Sequence, residues 1–159
     1  MSVVIRETDD LDAVRELGVR SGIEDSGRED EHIRAAWGAF DGDKLVGAIV
    51  LERLGDLDTP NWLAVDADYR RRGVARRLYA ELEAEARRRG MQRLWVTARN
   101  PAFFMAQGYT TVPPGREADS LLGDCPLCEQ YGRTCTPQAL TKGLEDAGLR
   151  DPRPVGGTP

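Results

Sequence analysis

The stretch from Leu63 to Gly90 constrains this chain more than any other. The apolar triplet Leu63-Ala64-Val65 runs through Asp66 into an arginine-rich turn, Arg70-Arg71-Arg72-Gly73-Val74-Ala75. Apolar residues then recur every fourth position at Val74, Leu78 and Leu82, with Ala75, Tyr79 and Ala86 beside them, which predicts one amphipathic helix. Glu83 with Arg87, and Glu85 with Arg89, stand in the favourable order for exposed helical pairs, and Gly90 is a natural C-cap. The unit therefore reads as strand, tight turn and helix. A helix start leaves backbone N–H groups without internal partners and carries partial positive charge. Those donors hold a phosphate if the chain can approach closely, and Gly73 and Ala75 are small enough to allow it. The turn lacks the Gly-Lys-Ser/Thr ending of a nucleoside triphosphate loop and the three glycines of a dinucleotide fingerprint. Spacing alone thus predicts a phosphate cradle without naming the phosphate, against the alternative of a solvated arginine patch at a helix start.

The flanking sequence supplies a mixed α/β pattern. Val3-Val4-Ile5 suits a first strand, and Leu11, Val14 and Leu17 give one apolar helix face after the capping carboxylates Asp9 and Asp10. Ser21 to Asp30 reads as a loop leading into a short helix around Glu31 to Arg34. Ala35–Phe40 and Lys44–Glu52 flank Asp41-Gly42-Asp43, whose Asp-Gly pair predicts a hairpin. Leu54 to Thr59 reads as a loop before the Leu63–Val65 strand. Leu94–Thr97 reads as a fifth strand, Pro101–Gln107 as a short helix stopped by Gly108, and Tyr109–Val112 as strand-like. Ala139 to Leu144 fits either a closing strand or a helix.

At 159 residues the chain fits one domain with a proper core. We expect that domain over residues 1–144, with an irregular cysteine-containing segment at 115–137 and a Pro- and Gly-rich tail at 145–159. A net charge of −5 argues against a general polyanion-binding surface, so nucleic acid is not an expected partner. No apolar run is long enough to span a bilayer, and the first residues lack a basic start and apolar core, so neither a membrane nor a secretory signal is expected. The default expectation is a cytoplasmic protein.

Val65-Asp66-Ala67-Asp68-Tyr69-Arg70-Arg71-Arg72-Gly73-Val74-Ala75-Arg76-Arg77-Leu78 resembles the acetyl-CoA signature of the GNAT N-acetyltransferases, Arg/Gln-x-x-Gly-x-Gly/Ala after a strand ending in Val-Asp. Arg70, Gly73 and Ala75 fill its three defining positions. A second landmark of that family, a short helix ending in Gly-aromatic, is matched by Phe103-Phe104-Met105-Ala106-Gln107-Gly108-Tyr109. The resemblance covers residues 1–112. It implies a single-domain α/β GNAT fold: a mixed central sheet flanked by helices, with a V-shaped splay between the fourth and fifth strands. It implies acetyl-CoA as co-substrate and direct attack by the amine of a small molecule or amino acid on the thioester. Val65 would pair with the pantetheine amides through its backbone, and the N–H groups from Arg71 to Arg76, Val74 among them, would hold the pyrophosphate. Homodimers are frequent in the family, so a homodimer is a further implied partner.

The same resemblance exposes a departure. Many members place a tyrosine four residues before the Gly of the second landmark as general acid, and this chain has Phe104 there. A phenyl ring cannot donate that proton. Tyr79 and Tyr109 are substitutes away from the matching position, each more readily read as a core tyrosine. Asn100 suits a helix N-cap before Pro101, and Asn100 and Phe104 are both candidate contacts to CoA. Glu52 is the first candidate for the base that deprotonates the amine, because it ends the strand preceding the signature strand; a solvated carboxylate at a strand end is the competing reading. Asp56 and Asp58, or a water relay, are the alternatives.

Cys125-Pro126-Leu127-Cys128 with Cys135 supplies three thiols where zinc usually takes four ligands. His32, the one histidine, would have to complete such a site from far away in sequence, so zinc is not expected and loop thiols are. Cys125-Pro126 and Pro137-Gln138-Ala139-Leu140-Thr141-Lys142 also resemble the tail of short amino-acid N-acetyltransferases similar to N-acetylglutamate synthases. The expected activity is therefore acetyl transfer to an amine. Its rivals are a non-catalytic CoA-binding module, motivated by Phe104, and a metal-stabilised interaction domain built on the cysteines.

Overall fold

The turn at Asp41-Gly42-Asp43 folds as its chemistry dictates: Gly42 takes φ 62° and closes a hairpin between β2 (Ile33–Asp41) and β3 (Lys44–Leu54). The computed structural model describes residues 2–23, 32–123, 133 and 137–144. Two compact units divide the chain, Met1–Arg89 and Gly90–Pro159. Both belong to one α/β architecture of antiparallel sheets flanked by helices.

The first unit is a four-stranded sheet in the order β1-β2-β3-β4, with β1 at Val3–Glu7 and β4 at Leu57–Val65. Helix α1 (Leu11–Arg20) follows β1, and Asp10 caps it by accepting from the Ala13 N–H at 3.1 Å. Its buried residues Val14 and Leu17 meet Ala48, Val50, Trp62 and Ala64 in one cluster. Helix α2 (Val74–Arg88) buries Val74, Leu78, Tyr79, Leu82 and Ala86, the four-residue spacing read from the sequence. Gly47 lets α2 close on β3, since a Cβ there would stand 3.2 Å from both Leu78 Cδ1 and Val74 Cγ1. Neighbouring strand residues point to opposite faces, so α1 over Ala48 and α2 over Gly47 cover the two sides of this sheet. Leu78 and Leu82 are wholly buried, each contributing about 1.5–3 kcal/mol.

The second unit is a three-stranded sheet in the order β5-β7-β6, comprising β5 (Arg93–Ala98), β6 (Thr110–Thr111) and β7 (Gln138–Gly143). Between β5 and β6 lies α3 (Pro101–Ala106), after which Gly108 at φ 100° turns the chain. Helix α4 (Arg116–Leu122) precedes β7.

Several expectations change. The short helix expected around Glu31 to Arg34 gives way, over the described residues, to β2, which starts at Ile33 and pairs it with Glu52. The loop expected from Leu54 to Thr59 is a two-residue turn: Gly55 at φ 60° lets Leu54 pair directly with Leu57, so β4 begins six residues earlier than its apolar triplet indicated. Part of the segment expected to be irregular is α4, whose Ala118 and Leu121 are buried. The ambiguous Ala139–Leu144 stretch is strand, with Leu140 fully buried at the sheet centre. The tail and Cys125, Cys128 and Cys135 lie outside the described residues.

Candidate functional site

The site begins where β4 ends. The Asp66 N–H donates to the Val46 carbonyl at 2.8 Å, and the Asp66 carboxylate meets Arg20 at 3.2 Å, so the strand end is held from two sides. A single 3-10 turn, Ala67–Tyr69, follows. Tyr69 is buried and donates its hydroxyl to Asp41 Oδ2 at 2.5 Å, which ties the turn to the β2–β3 hairpin. That bond, then burial, then the charges of Asp41 and Asp68 raise the Tyr69 hydroxyl above its ordinary pKa. Arg72 and Lys44 both lie over the Tyr69 ring, at 6.0 and 5.8 Å from its centroid.

Two residues of the arginine-rich turn adopt left-handed backbone: Arg71 at φ 63° and Gly73 at φ 78°. Glycine takes that conformation freely, whereas an arginine there costs about 1–2 kcal/mol. Gly73 is the N-cap of α2, and among the described residues no side chain caps it. The first helical bond runs from the Arg77 N–H to the Gly73 carbonyl, so the N–H groups of Val74, Ala75 and Arg76 have no acceptor within the helix. The first turn carries no acidic side chain. Open donors, the positive helix end and the exposed Arg71, Arg72 and Arg76 together suit a polyanionic phosphate. A Cβ on Gly73 would come within 3.4 Å of Arg76 Nη2, so the glycine keeps the approach clear. Arg70 does something different: its Nε donates to the Val65 carbonyl at 2.9 Å and latches the turn onto the strand end.

Upstream, β4 holds a feature that the sequence reading missed. Ala48 pairs with Ala64 and Val50 with Asn61, so Trp62 and Leu63 together stand opposite the single residue Ile49. This is a β-bulge on the edge strand of the sheet, and Trp62 sits in it at φ 53°. A bulky side chain in that region stores about 1–3 kcal/mol of strain, and such strain clusters at functional sites. Asn61 Oδ1 accepts from the Trp62 N–H at 2.8 Å, and Asn61 Nδ2 donates to Glu52 Oε1 at 2.8 Å. Asparagine before a bulky aromatic inside a strand was the available signal, since asparagine is depleted from strand interiors.

Glu52 is wholly buried on β3, paired with Thr59 on β4. It is no solvated carboxylate at a strand end, because β3 continues to Leu54. Val65 pairs with Gly47 near the other end of the ladder, so six residues of β4, about 20 Å, separate the registers of Glu52 and Val65. Asp58 is engaged by Arg53 at 3.2 Å.

Asn100 and Phe104 belong to the second unit. Asn100 holds the N-cap position of α3, but its side chain makes no capping bond. Phe104 is buried and packs edge-on between Phe103 and Tyr109, with ring centroids 5.2 and 5.3 Å away. Tyr79 is buried on α2 and donates to Glu83 at 2.9 Å; Tyr109 is buried as well. His32 is exposed before β2. Among the described residues no group of three or more His, Cys, Asp or Glu side chains could hold a metal ion, and no helix is long and apolar enough to cross a membrane.

Comparisons with known proteins follow the same geometry. No curated protein matches the chain by sequence. Among solved structures, the ribosomal-protein-S18-alanine N-acetyltransferase from Escherichia coli superposes with a TM-score of 0.66 at 20% identity, covering 94% of this chain and 99% of that one. The Mycobacterium tuberculosis protein Rv2747, solved in complex with CoA, gives 0.66 at 19% identity over 89% of this chain and 99% of that one. N-acetylglutamate synthase from Neisseria gonorrhoeae, complexed with coenzyme A and L-arginine, gives 0.65 at 23% identity; it covers 90% of this chain but only 33% of the synthase. These likenesses establish the fold. The model of the acetyltransferase (GNAT) family matches residues 6–109, a span that holds the arginine-rich turn, the bulge and the Gly108-Tyr109 landmark. The chain belongs to the acetyltransferase (GNAT) family.

Proposed function

We propose that this chain transfers the acetyl group of acetyl-CoA to the amine of a small molecule or amino acid. One observation carries the reading: the uncapped start of α2, where left-handed Gly73 leaves three main-chain donors open inside an arginine-rich turn. Val74, Ala75 and Arg76 would hold the pyrophosphate through their N–H groups, with Arg71 and Arg72 adding charge. Arg70 would set the shape of the turn. The edge position of β4 supports pairing of its main chain, Val65 included, with the pantetheine amides. CoA in solved relatives of this fold adds support.

The co-substrate supplies an acetyl group activated as a thioester. Attack by the amine nitrogen forms the C–N bond, breaks the C–S bond and releases the sulfur as a thiolate. As the amine adds, the carbonyl oxygen gathers negative charge, and a main-chain N–H of the signature strand beyond Trp62, between the bulge and Val65, would stabilise it. Phe104 supplies no proton to the departing sulfur. A thiol ionises near pH 8.5, so the thiolate leaves without one. The amine proton passes to water, since Glu52 is buried against Asn61. A cytoplasmic location and a homodimer belong to this reading as expectations from sequence and family.

Calorimetric titration of the purified protein with acetyl-CoA tests the reading. Saturable one-to-one binding that weakens with salt is expected, and absence of binding to the folded protein would overturn it. The second reading, a non-catalytic CoA-binding module, is motivated by Phe104. Tight binding of acetyl-CoA with no thiol released across amino acids, polyamines and short peptides would favour that module.

A further inference from the structure

The contact between Glu52, Asn61 and Trp62 links β3 to β4 beside the bulge, and its chemistry is one-directional. A carboxylate only accepts hydrogen bonds, so Glu52 Oε1 fixes which end of the Asn61 amide faces it: the NH2 group, at 2.8 Å. The Asn61 carbonyl oxygen is then turned the other way and accepts from the Trp62 N–H, also at 2.8 Å. The Glu52 carboxyl on one side and the Trp62 N–H on the other thereby select one of the two amide flips of Asn61. The residue it holds is the one in left-handed backbone, Trp62 at φ 53°, within the bulge that places two β4 residues opposite Ile49.

The bulge is also clamped from its side-chain end. Trp62 is buried in the cluster with Val14, Leu17 and Ala48, and Gly18 of α1 lies so close that a Cβ there would collide with the Trp62 ring. Side-chain packing fixes the indole, while the Glu52–Asn61 pair fixes the peptide group. A left-handed tryptophan persists only where its surroundings over-determine it, and these two clamps do so.

We infer that Glu52 and Asn61 are positioning residues: a buried carboxylate–amide brace that holds the Trp62-Leu63 bulge in register so that its main chain meets the reacting acyl group in one fixed geometry. The brace rests on the acetyltransferase reading for its purpose, but its existence is independent of that reading. It also gives Glu52 a role other than proton removal. A carboxylate serving as base must be free to accept a proton, whereas the brace needs only an acceptor oxygen at position 52.

That difference makes the roles separable by substitution. Glu52→Gln keeps an acceptor oxygen for Asn61 and removes the basic group. Asn61→Asp sets two carboxylates against each other, so the brace opens. The double variant, Glu52→Gln with Asn61→Asp, restores it with reversed polarity: the Gln amide donates to the Asp, whose other oxygen accepts from the Trp62 N–H. Two readouts are needed. Exchange of the Trp62 backbone amide with deuterium, followed by NMR, reports the brace without reference to activity. Steady-state release of CoA thiol from acetyl-CoA, with whichever amine from a panel of amino acids, polyamines and short peptides the wild type uses, reports its purpose.

Glu52→Gln is expected to protect the Trp62 amide as wild type does and to leave kcat within about threefold, with the pH–rate profile unshifted. Asn61→Asp is expected to expose that amide and lower kcat by about 100-fold, the scale of a small misplacement of reacting groups, with KM for acetyl-CoA little changed. The double variant should regain both. Loss of turnover in Glu52→Gln with the amide still protected would overturn the positioning role in favour of a base. A folded double variant that regains protection but not turnover would overturn it too. Should Asn61→Asp fail to fold, Glu52→Gln alone decides by the same criteria. A wild type that neither binds nor consumes acetyl-CoA would instead sink the acetyltransferase reading, while the exchange data still judge the brace.

Discussion

Placing a carboxylate at position 73 should separate folding from binding. Gly73 sits at φ 78°, so any side chain there meets about 1–2 kcal/mol of backbone strain. Aspartate is also a preferred N-cap, and its carboxylate accepting from the N–H of Ala75 or Arg76 returns about 1 kcal/mol. The two effects nearly cancel, so Gly73→Asp should shift Tm by less than about 4 °C in a chain of this size. Binding is another matter. The new carboxylate occupies the donors that the pyrophosphate would use, and each N–H bond to a charged oxygen is worth about 1.5–3 kcal/mol. Losing two of them weakens acetyl-CoA binding by about 3–6 kcal/mol, or at least 100-fold, before repulsion between like charges is counted. Gly73→Ala provides the control, with the same strain and no competing acceptor; its Cβ approaches only Arg76 Nη2, at 3.4 Å. That variant should bind within about tenfold of wild type. Calorimetric titration of the three proteins, with thermal melts on the same samples, measures both quantities. A folded Gly73→Asp protein that binds acetyl-CoA within about threefold of wild type would refute the cradle.

Other substitutions test the surrounding structure. Gly18→Ala, which helix propensity alone would favour, should destabilise by about 1–3 kcal/mol in denaturant melts because its Cβ collides with Trp62; a neutral or stabilising result would contradict the clamp. Tyr69→Phe removes the bond to Asp41 and should lower Tm at neutral pH. Because the folded-state pKa of Tyr69 is raised, its contribution is complete below about pH 10 and is lost as pH rises through the folded value, so wild-type stability should fall more steeply in alkali than that of Tyr69→Phe. Phe104→Tyr should leave turnover within about threefold; a rise of about 100-fold, the scale of general acid catalysis, would show that protonation of the sulfur limits the reaction.

The parts of the site that a sequence displays are those whose residue types are forced by local backbone. Gly73 and Gly42 are visible because left-handed turns select glycine, and α2 is visible because its apolar residues keep helical period. The bulge at Trp62 left only the faint mark of Asn61 in the sequence, since one inserted residue leaves the apolar content of β4 unchanged and cross-strand pairing is what defines it. The strand-end placement of Glu52 was misread for a related reason. A glutamate beside Arg53 reads as the polar end of a strand, and only the pairing with Thr59 and the bond to Asn61 show it to be interior. The early start of β4 was hidden by Asp56 and Asp58, which made a two-residue turn look like a loop. The strand β7 was ambiguous because its partners, β5 and β6, lie far away in sequence, and long-range pairing leaves little local trace.

Acetyl transfer from acetyl-CoA to an amine can be followed directly. Wild-type protein is incubated with acetyl-CoA carrying an isotopic label in its acetyl group, together with a panel of amino acids, polyamines and short peptides, and the products are followed by mass spectrometry. Labelled N-acetyl product is expected from at least one amine, with one CoA thiol released for each acetyl transferred. Saturable acetyl-CoA binding with the label remaining on CoA, whatever amine is offered, would contradict acetyl transfer and leave a binding module in its place.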